Sequence, residues 1–255
     1  MLNKFLKTIH NKYSRFFKFI FFLRYLFVTF FVSIFLFLII PGFFNYEKKE
    51  KIIKNYFLEN YNFEIIEYKN IKYKAFPIPK LELKKTRIKF LKSNTSFNVN
   101  SLQVYPKIFS IYNLNNFETN KIILKENFIN LKISNFYNFI EQLSKKRKKI
   151  SFNDLNIKIV NDDKFIIKLE NIFFSNFGYK KNFIEGKVFS KKFEAKLEDN
   201  LEFIEFKLPS SDIITNLDLN KKTKKGTFKS KVLYTNFKFD FEYNNKSLKI
   251  FNSYF

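Results

Sequence analysis

The stretch YLFVTFFVSIFLFLIIPGFF, residues 25–44, runs for 20 positions without a charge. Coiled as a helix at about 1.5 Å per residue, such a run is about 30 Å long, the thickness of a bilayer's hydrocarbon core. A buried core helix seldom lacks a polar face over so many residues. A cleaved signal peptide fits poorly, because its apolar region is about 7–15 residues long and ends in small side chains. Here Pro41, Gly42, Phe43 and Phe44 close the run. The reading is a membrane anchor. It divides the chain into a basic leader (1–24), a transmembrane span (25–44), a juxtamembrane helix (45–61) and a β-rich remainder (62–255).

Orientation follows from the flanks. The leader carries Lys4, Lys7, Lys12, Arg15, Lys18 and Arg24 and no acid. Beyond the span, Lys48, Lys49, Lys51 and Lys54 are mixed with Glu47, Glu50 and Glu59. Cationic residues favour the cytoplasmic side, so the N-terminus is expected in the cytoplasm and everything after about Asn45 outside it.

A formal charge of +24 invites a nucleic-acid reading. Lys, Asn, Ile and Phe are over-used together, however, while Gly (4), Trp (0) and Cys (0) are scarce. An A/T-rich coding sequence produces that joint bias, and an exported domain rarely meets nucleic acid, so no nucleic-acid partner is expected. Catalytic chemistry finds little support either. Without Cys there is no disulfide or thiolate, and the single His, His10, lies in the leader. The glycines 42, 178, 186 and 226 are scattered, so no phosphate-binding loop exists. Asp162-Asp163 beside Asn161 reads as a turn rather than a metal pair. The expectation is no enzyme, no metal and no cofactor.

In YEKKEKIIKNYFLEN (46–60), Ile52, Ile53, Tyr56 and Phe57 recur at helical spacing. Past that helix the period falls to two. TNFKFDFEY (235–243) sets Phe237, Phe239, Phe241 and Tyr243 against Lys238, Asp240 and Glu242. Phe193, Ala195 and Leu197 repeat the pattern, as do Phe228, Val232 and Tyr234, and Leu102 with Val104. Similar runs occur near 63–74, 78–91, 129–134, 150–160, 164–174, 183–189, 201–208, 213–219 and 247–251. Such runs read as half-buried strands of an antiparallel sheet with one wet face. Turns rely on Asn and Asp (Asn161-Asp162-Asp163, Asp199-Asn200, Asn244-Asn245), which tolerate left-handed conformations. Phe136, Phe139, Ile140 and Leu143 mark one interrupting helix.

An apolar sheet face must be covered, and two short helices cannot cover about a dozen strands. The sheet is left to form a sandwich, close into a barrel, or curl into a trough whose interior a ligand fills. General frequency favours the sandwich. In FPIPKLELKKTRIKF (76–90), Pro77 and Pro79 lack the N–H a ladder needs, which suits an edge strand or a strand's first residue.

The arrangement resembles the AsmA/TamB-like family of envelope proteins. The likeness rests on the basic leader and single span, the amphipathic helix and the run ENYNFEIIEYKNIKYKAFPIPKLELKKTRIKF (59–90). It extends through SLQVYPKIFSIYNLNNFETNKIIL (101–124), NFYNFIEQL and ISFNDLNIKIVNDDKFIIKLENIFF (150–174). It covers roughly residues 20–175, the later strands matching by type. Asn replaces the family's Gly-rich turns, and at 255 residues the chain is far shorter than long members, as a compact paralogue or truncated reading frame would be.

The resemblance implies a mainly β fold, with the transmembrane helix followed by a curled antiparallel sheet forming an open groove and one or two short helices. It implies a single-pass inner-membrane protein with its bulk in the periplasm. The implied role is lipid binding or transfer in outer-membrane lipid homeostasis and assembly. Phospholipid acyl chains would then contact Leu81, Leu83, Leu102, Val104, Phe193, Leu197, Phe237, Phe239 and Phe241, with Pro77 and Pro79 blunting an edge. The basic run Lys145, Lys146, Arg147, Lys148 and Lys149 would meet anionic headgroups, or else form a solvated helix C-terminus complementing the dipole. A dozen strands about 4.8 Å apart extend about 55–60 Å, so crossing an envelope would need a protein partner. The alternative function is a non-lipid envelope assembly scaffold, a closed β-sandwich that binds outer-membrane protein precursors.

Overall fold

The computed structural model describes residues 13–144, 148–161, 164–198, 201–220, 222–243 and 248–254. The three expected Asn/Asp turns fall wholly or partly outside those residues, as do His10, Lys145, Lys146 and Arg147. The chain forms two compact units. One holds the apolar helix, the turn after it and Ala75–Pro77, and the other holds the remainder from Asn45 onward.

In the first unit, α1 spans Ser14–Ile39 and runs into a 3₁₀ turn, Ile40–Phe43, with Pro41 near its start. No Gly or Pro interrupts α1. Two hydroxyls in its apolar stretch are satisfied within the helix, Thr29 donating to the Tyr25 carbonyl (2.9 Å) and Ser33 to that of Thr29 (2.8 Å). The stretch apolar and long enough to cross a membrane is Lys18–Phe43, earlier at its start than the expected 25–44. Only 6% of its most apolar window is buried, which removes the core-helix alternative.

The second unit begins with α2, Glu50–Tyr61, whose buried face is Ile53, Tyr56, Phe57 and Tyr61. Asn62, at φ 49°, ends it in the left-handed conformation that a helix terminus favours. A single 14-stranded sheet follows. β1 (Phe63–Glu67) and β2 (Asn70–Lys74) lie end to end along β3 (Lys80–Phe90), and β4 (Thr95–Pro106) and β5 (Thr119–Lys132) follow in order. Helix α3, Ile133–Ser144, then crosses to β6 (Ile150–Asn161), which pairs parallel to β5. The all-antiparallel expectation fails at this one pair, because a helix-bearing connection of that length permits a crossover. From β6 onward the strands are successive antiparallel neighbours: β7 (Lys164–Ser175), β8 (Phe183–Val188), β9 (Lys191–Leu197), β10 (Phe203–Leu208), β11 (Ile213–Asn220), β12 (Lys225–Val232), β13 (Thr235–Tyr243) and β14 (Leu248–Tyr254).

The mainly β class and the open sheet agree with expectation, whereas the curl does not: the sheet is uncurled. β1 and β2 pair only with β3, and β14 only with β13, so no ladder draws the edges together. There is also no second layer of strands among the described residues, which rules out a sandwich there.

The core lies under the two short helices. Phe57 stacks on Phe63 at 5.1 Å, Phe63 meets Phe90 at 5.7 Å, and Phe90 meets Phe139 of α3 at 5.7 Å. All four are fully buried. The Tyr56 and Tyr61 hydroxyls share the Thr119 hydroxyl at 3.1 and 2.7 Å, so the polar tips of this aromatic cluster are paired. Burial pushes the Tyr61 phenol well above its ordinary pKa.

A row of left-handed residues crosses this part of the sheet: Lys85 (φ 49°), Glu126 (52°), Asp154 (60°) and Asn171 (51°). Register aligns Lys85, Asn100 of β4, Glu126 and Asp154, and Asn171 stands a step along β6, its N–H donating to the Asn156 Oδ1 at 3.2 Å. At this row each strand changes phase. β3 buries Leu81 and Leu83 before it and Thr86, Ile88 and Phe90 after it; β5 buries Ile122 and Leu124, then Asn127, Ile129 and Leu131. Phe152, on one side of the row, lies 6.4 Å from both Phe90 and Phe97 on the other, so both arms serve one core.

A left-handed Lys costs about 1 kcal/mol or more, which Gly would not pay. Lys85→Gly is therefore expected to raise the thermal unfolding midpoint, and Lys89→Gly in the same strand to lower it. Phe139→Ala is expected to destabilise by about 3–5 kcal/mol; Phe239→Ala on the half-buried ribbon should cost clearly less, both read by denaturant unfolding.

Candidate functional site

Beyond β7 the sheet continues without its helical cover, since the principal helix contacts fall on β1, β5 and β6. Register shows what that leaves open. Phe174 of β7 pairs with Ile184, Ile184 with Ala195, Ala195 with Phe206, and Phe206 with Thr215. Leu217 then pairs with Phe228 and Phe228 with Phe239. Side chains in directly paired positions share a face, so the face that is the core at β1–β7 runs uninterrupted to β13. Along it stand Ile204, Phe206 and Leu208, then Ile213, Leu217 and Leu219, then Phe228 and Val232, then Phe237 and Phe239. All are half-buried, whereas their counterparts under the helices are sealed.

The opposite face of the ribbon is polar. Lys192 pairs with Glu194 at 2.8 Å, Lys207 with Glu205 at 2.8 Å, and Thr227 donates to Asp240 at 2.7 Å. Hydrogen bonds from Thr227 and Asn252 hold the Asp240 carboxyl below its ordinary range. Exposed pairs of this kind add little stability, but they make this face the more polar of the two, although Phe203, Ile214 and Phe251 also stand on it. A depression of about 680 Å³ at one end of this region is lined by Glu198, Glu202, Asp218, Asp240, Thr227 and Phe251 among others. Among the described residues no group of three His, Cys, Asp or Glu side chains is placed to hold a metal ion.

Rings rather than a second layer fill the glycine gaps in the ribbon. Gly226 lies opposite Phe241, and a Cβ there would meet Phe241 Cζ at 2.5 Å and the Asp218 carbonyl oxygen at 2.6 Å. Gly186 lies opposite Phe193, whose ring would be 3.0 Å from such a Cβ. Each Phe lies across the glycine of the neighbouring strand, covering its bare backbone.

The predicted site residues separate into three groups. Leu81, Leu83, Leu102 and Val104 are fully buried in the helix-covered core and offer no open surface. Phe193, Leu197 and Phe241 stand on the ribbon's apolar face but are nearly covered by their neighbours, Phe193 stacking on Phe206 at 5.6 Å. Phe237 and Phe239 are half-buried on that face, Phe239 stacked on Phe228 at 4.7 Å. Sequence reasoning omitted Ile204, Phe206, Ile213, Leu217 and Phe228 from the site, although the same alternation carries them. Tyr234 leaves the face altogether, 99% exposed in the β12–β13 turn.

Pro77 and Pro79 lie in the β2–β3 connection, and β3 is paired on both sides, so they blunt no edge. β1 and β2 occupy that side of β3 and themselves form the sheet's edge. Of the basic run, the described Lys148 places its Nζ 5.7 Å from the Tyr56 ring centroid and 3.5 Å from its hydroxyl, packed at the helix-covered core.

No protein-family model, curated protein or solved structure matches the chain. Gly226→Val, which must displace Phe241 or the β11 backbone, is expected to lower the unfolding midpoint and raise binding of a hydrophobic dye as the β12–β13 pairing opens.

Proposed function

We propose that this protein is a membrane-anchored lipid-binding or lipid-transfer module of the AsmA/TamB-like kind. In this reading α1 spans the inner membrane with the basic leader in the cytoplasm and the sheet in the periplasm. The ribbon's apolar face takes acyl chains there and serves outer-membrane lipid homeostasis. One observation carries the reading: a single continuous apolar face is sealed by α2 and α3 over the first strands and stays half-exposed from β10 to β13. A row of half-buried apolar side chains with no layer over it among the described residues suits acyl chains, which need no hydrogen bonds, although the Thr215–Ser230 hydroxyl pair stands within it. Aromatic side chains dominate its far end, in the stacked pair Phe228–Phe239 and in Phe237.

The site so defined is narrower than the sequence expectation. Leu81, Leu83, Leu102 and Val104 hold the fold together, and lipid contact falls to Phe206, Leu217, Phe228, Phe237 and Phe239. Photo-crosslinkable phospholipid supplied to the full chain in vesicles tests this, with peptide mapping by mass spectrometry. Crosslinks are expected on β10–β13 as well as on α1. A Phe228→Glu/Phe239→Glu variant should lose the former and keep the latter. Crosslinks confined to α1, or a protein rather than a lipid captured on the ribbon, would overturn the proposal.

A further inference from the structure

The β2–β3 connection belongs, by its contacts, to the unit that contains α1: Ala75–Pro77 cluster with the apolar helix. The Phe76 ring stacks on that of Phe35 at 5.6 Å with 28° between the planes. Phe35 lies well inside the apolar stretch Lys18–Phe43. Counted from Phe43 it is about 12 Å along the helix axis, at about 1.5 Å per residue. A side chain stacked there is at hydrocarbon depth whenever the helix is in a bilayer. Yet Phe76 remains 52% exposed and Ile78 54% exposed, with Pro77 between them.

We infer that Phe76-Pro77 is a second membrane-contacting element, a tip that enters the bilayer beside α1. The inference rests on reading α1 as a membrane span. It gives Pro77 a physical role that an edge strand does not. Irregular backbone is costly in hydrocarbon because each unpaired N–H loses its water. Pro77 has no N–H to lose, so the tip carries one fewer stranded donor than another residue there would leave.

The chain has no cysteine, so single-cysteine labelling is direct. Phe35→Cys, Phe76→Cys and Tyr179→Cys, each carrying an environment-sensitive fluorophore, are reconstituted as full chains in phosphatidylethanolamine–phosphatidylglycerol vesicles. Chain-labelled quencher lipids are then added. Tyr179 is fully exposed on the β7–β8 turn and serves as the reference for water. Loss of emission is expected at positions 35 and 76 alike, with none at 179. Quenching at 35 but not at 76 overturns the tip and leaves the anchor standing. Quenching at neither overturns the anchor and the tip with it. Quenching at 179 as well would mean that the sheet adsorbs to lipid indiscriminately, and the tip is again overturned as a specific element.

Discussion

A sheet with one apolar face must find cover for it, and the rest of this structure follows from how little cover the chain carries. Two helices of 12 residues each face a sheet of 14 strands. Their aromatic and aliphatic side chains suffice for β1–β7, where Phe57, Phe63, Phe90, Phe139 and Phe152 interlock and most of the fully buried residues lie. Among the described residues nothing comparable reaches β10–β14. The same face therefore changes character along its length, from a packed interior to a half-wet surface, without any change in the alternation that produces it. Closure would have removed the difference, but neither edge pairs with the other.

How the strands stay aligned over such a distance depends on the row of left-handed residues. A phase change in one strand alone would send its remaining apolar side chains to the wet face. Here β3, β5, β6 and β7 change phase at the same level, and β4 follows between Val99 and Leu102, so every strand keeps its apolar residues on the core side. Glu126, the least suited of the four to such a backbone, accepts a hydrogen bond from Asn100 across the strand boundary at 2.9 Å. The local cost is offset collectively, because no single strand could straighten without losing its place in the core.

These features differ in how legible they were. The alternation in TNFKFDFEY, the two helix faces and the uncharged run were all readable, because each depends on residues close in sequence. The phase changes were not. Lys85 and Glu126 carry no mark of a left-handed backbone as Gly would, and of β5 accordingly only the stretch near 129–134 reads as an alternating run, instead of the whole strand. Cover was equally hidden. Periodicity says that Leu81 and Leu83 belong to an apolar face, but their sealed position depends on residues distant in the chain. That fact separates core from candidate surface, and it moved four of nine expected lipid contacts into the interior. Pro77 and Pro79 were misplaced for a related reason: a missing donor tells that a residue stands outside a ladder, and is silent on whether the alternative is an edge or a loop.

The division between a covered and an uncovered half also bears on why the open half can persist. An isolated single-layer ribbon has only its backbone ladder and cross-strand pairs to stabilise it, and pairs such as Phe228–Phe239 contribute about 0.2–1 kcal/mol each. Grown from a packed core, the ribbon need not nucleate itself: β8 pairs onto β7, whose Ile172 and Phe174 are already fixed, and each further hairpin adds to an ordered neighbour. Its polar face bears lysines and carboxylates in alternation, which discourages two copies from meeting there. What remains exposed is an apolar surface held open by a fold whose stability lies elsewhere, so occupying that surface need not disturb the core, and emptying it need not unfold the protein.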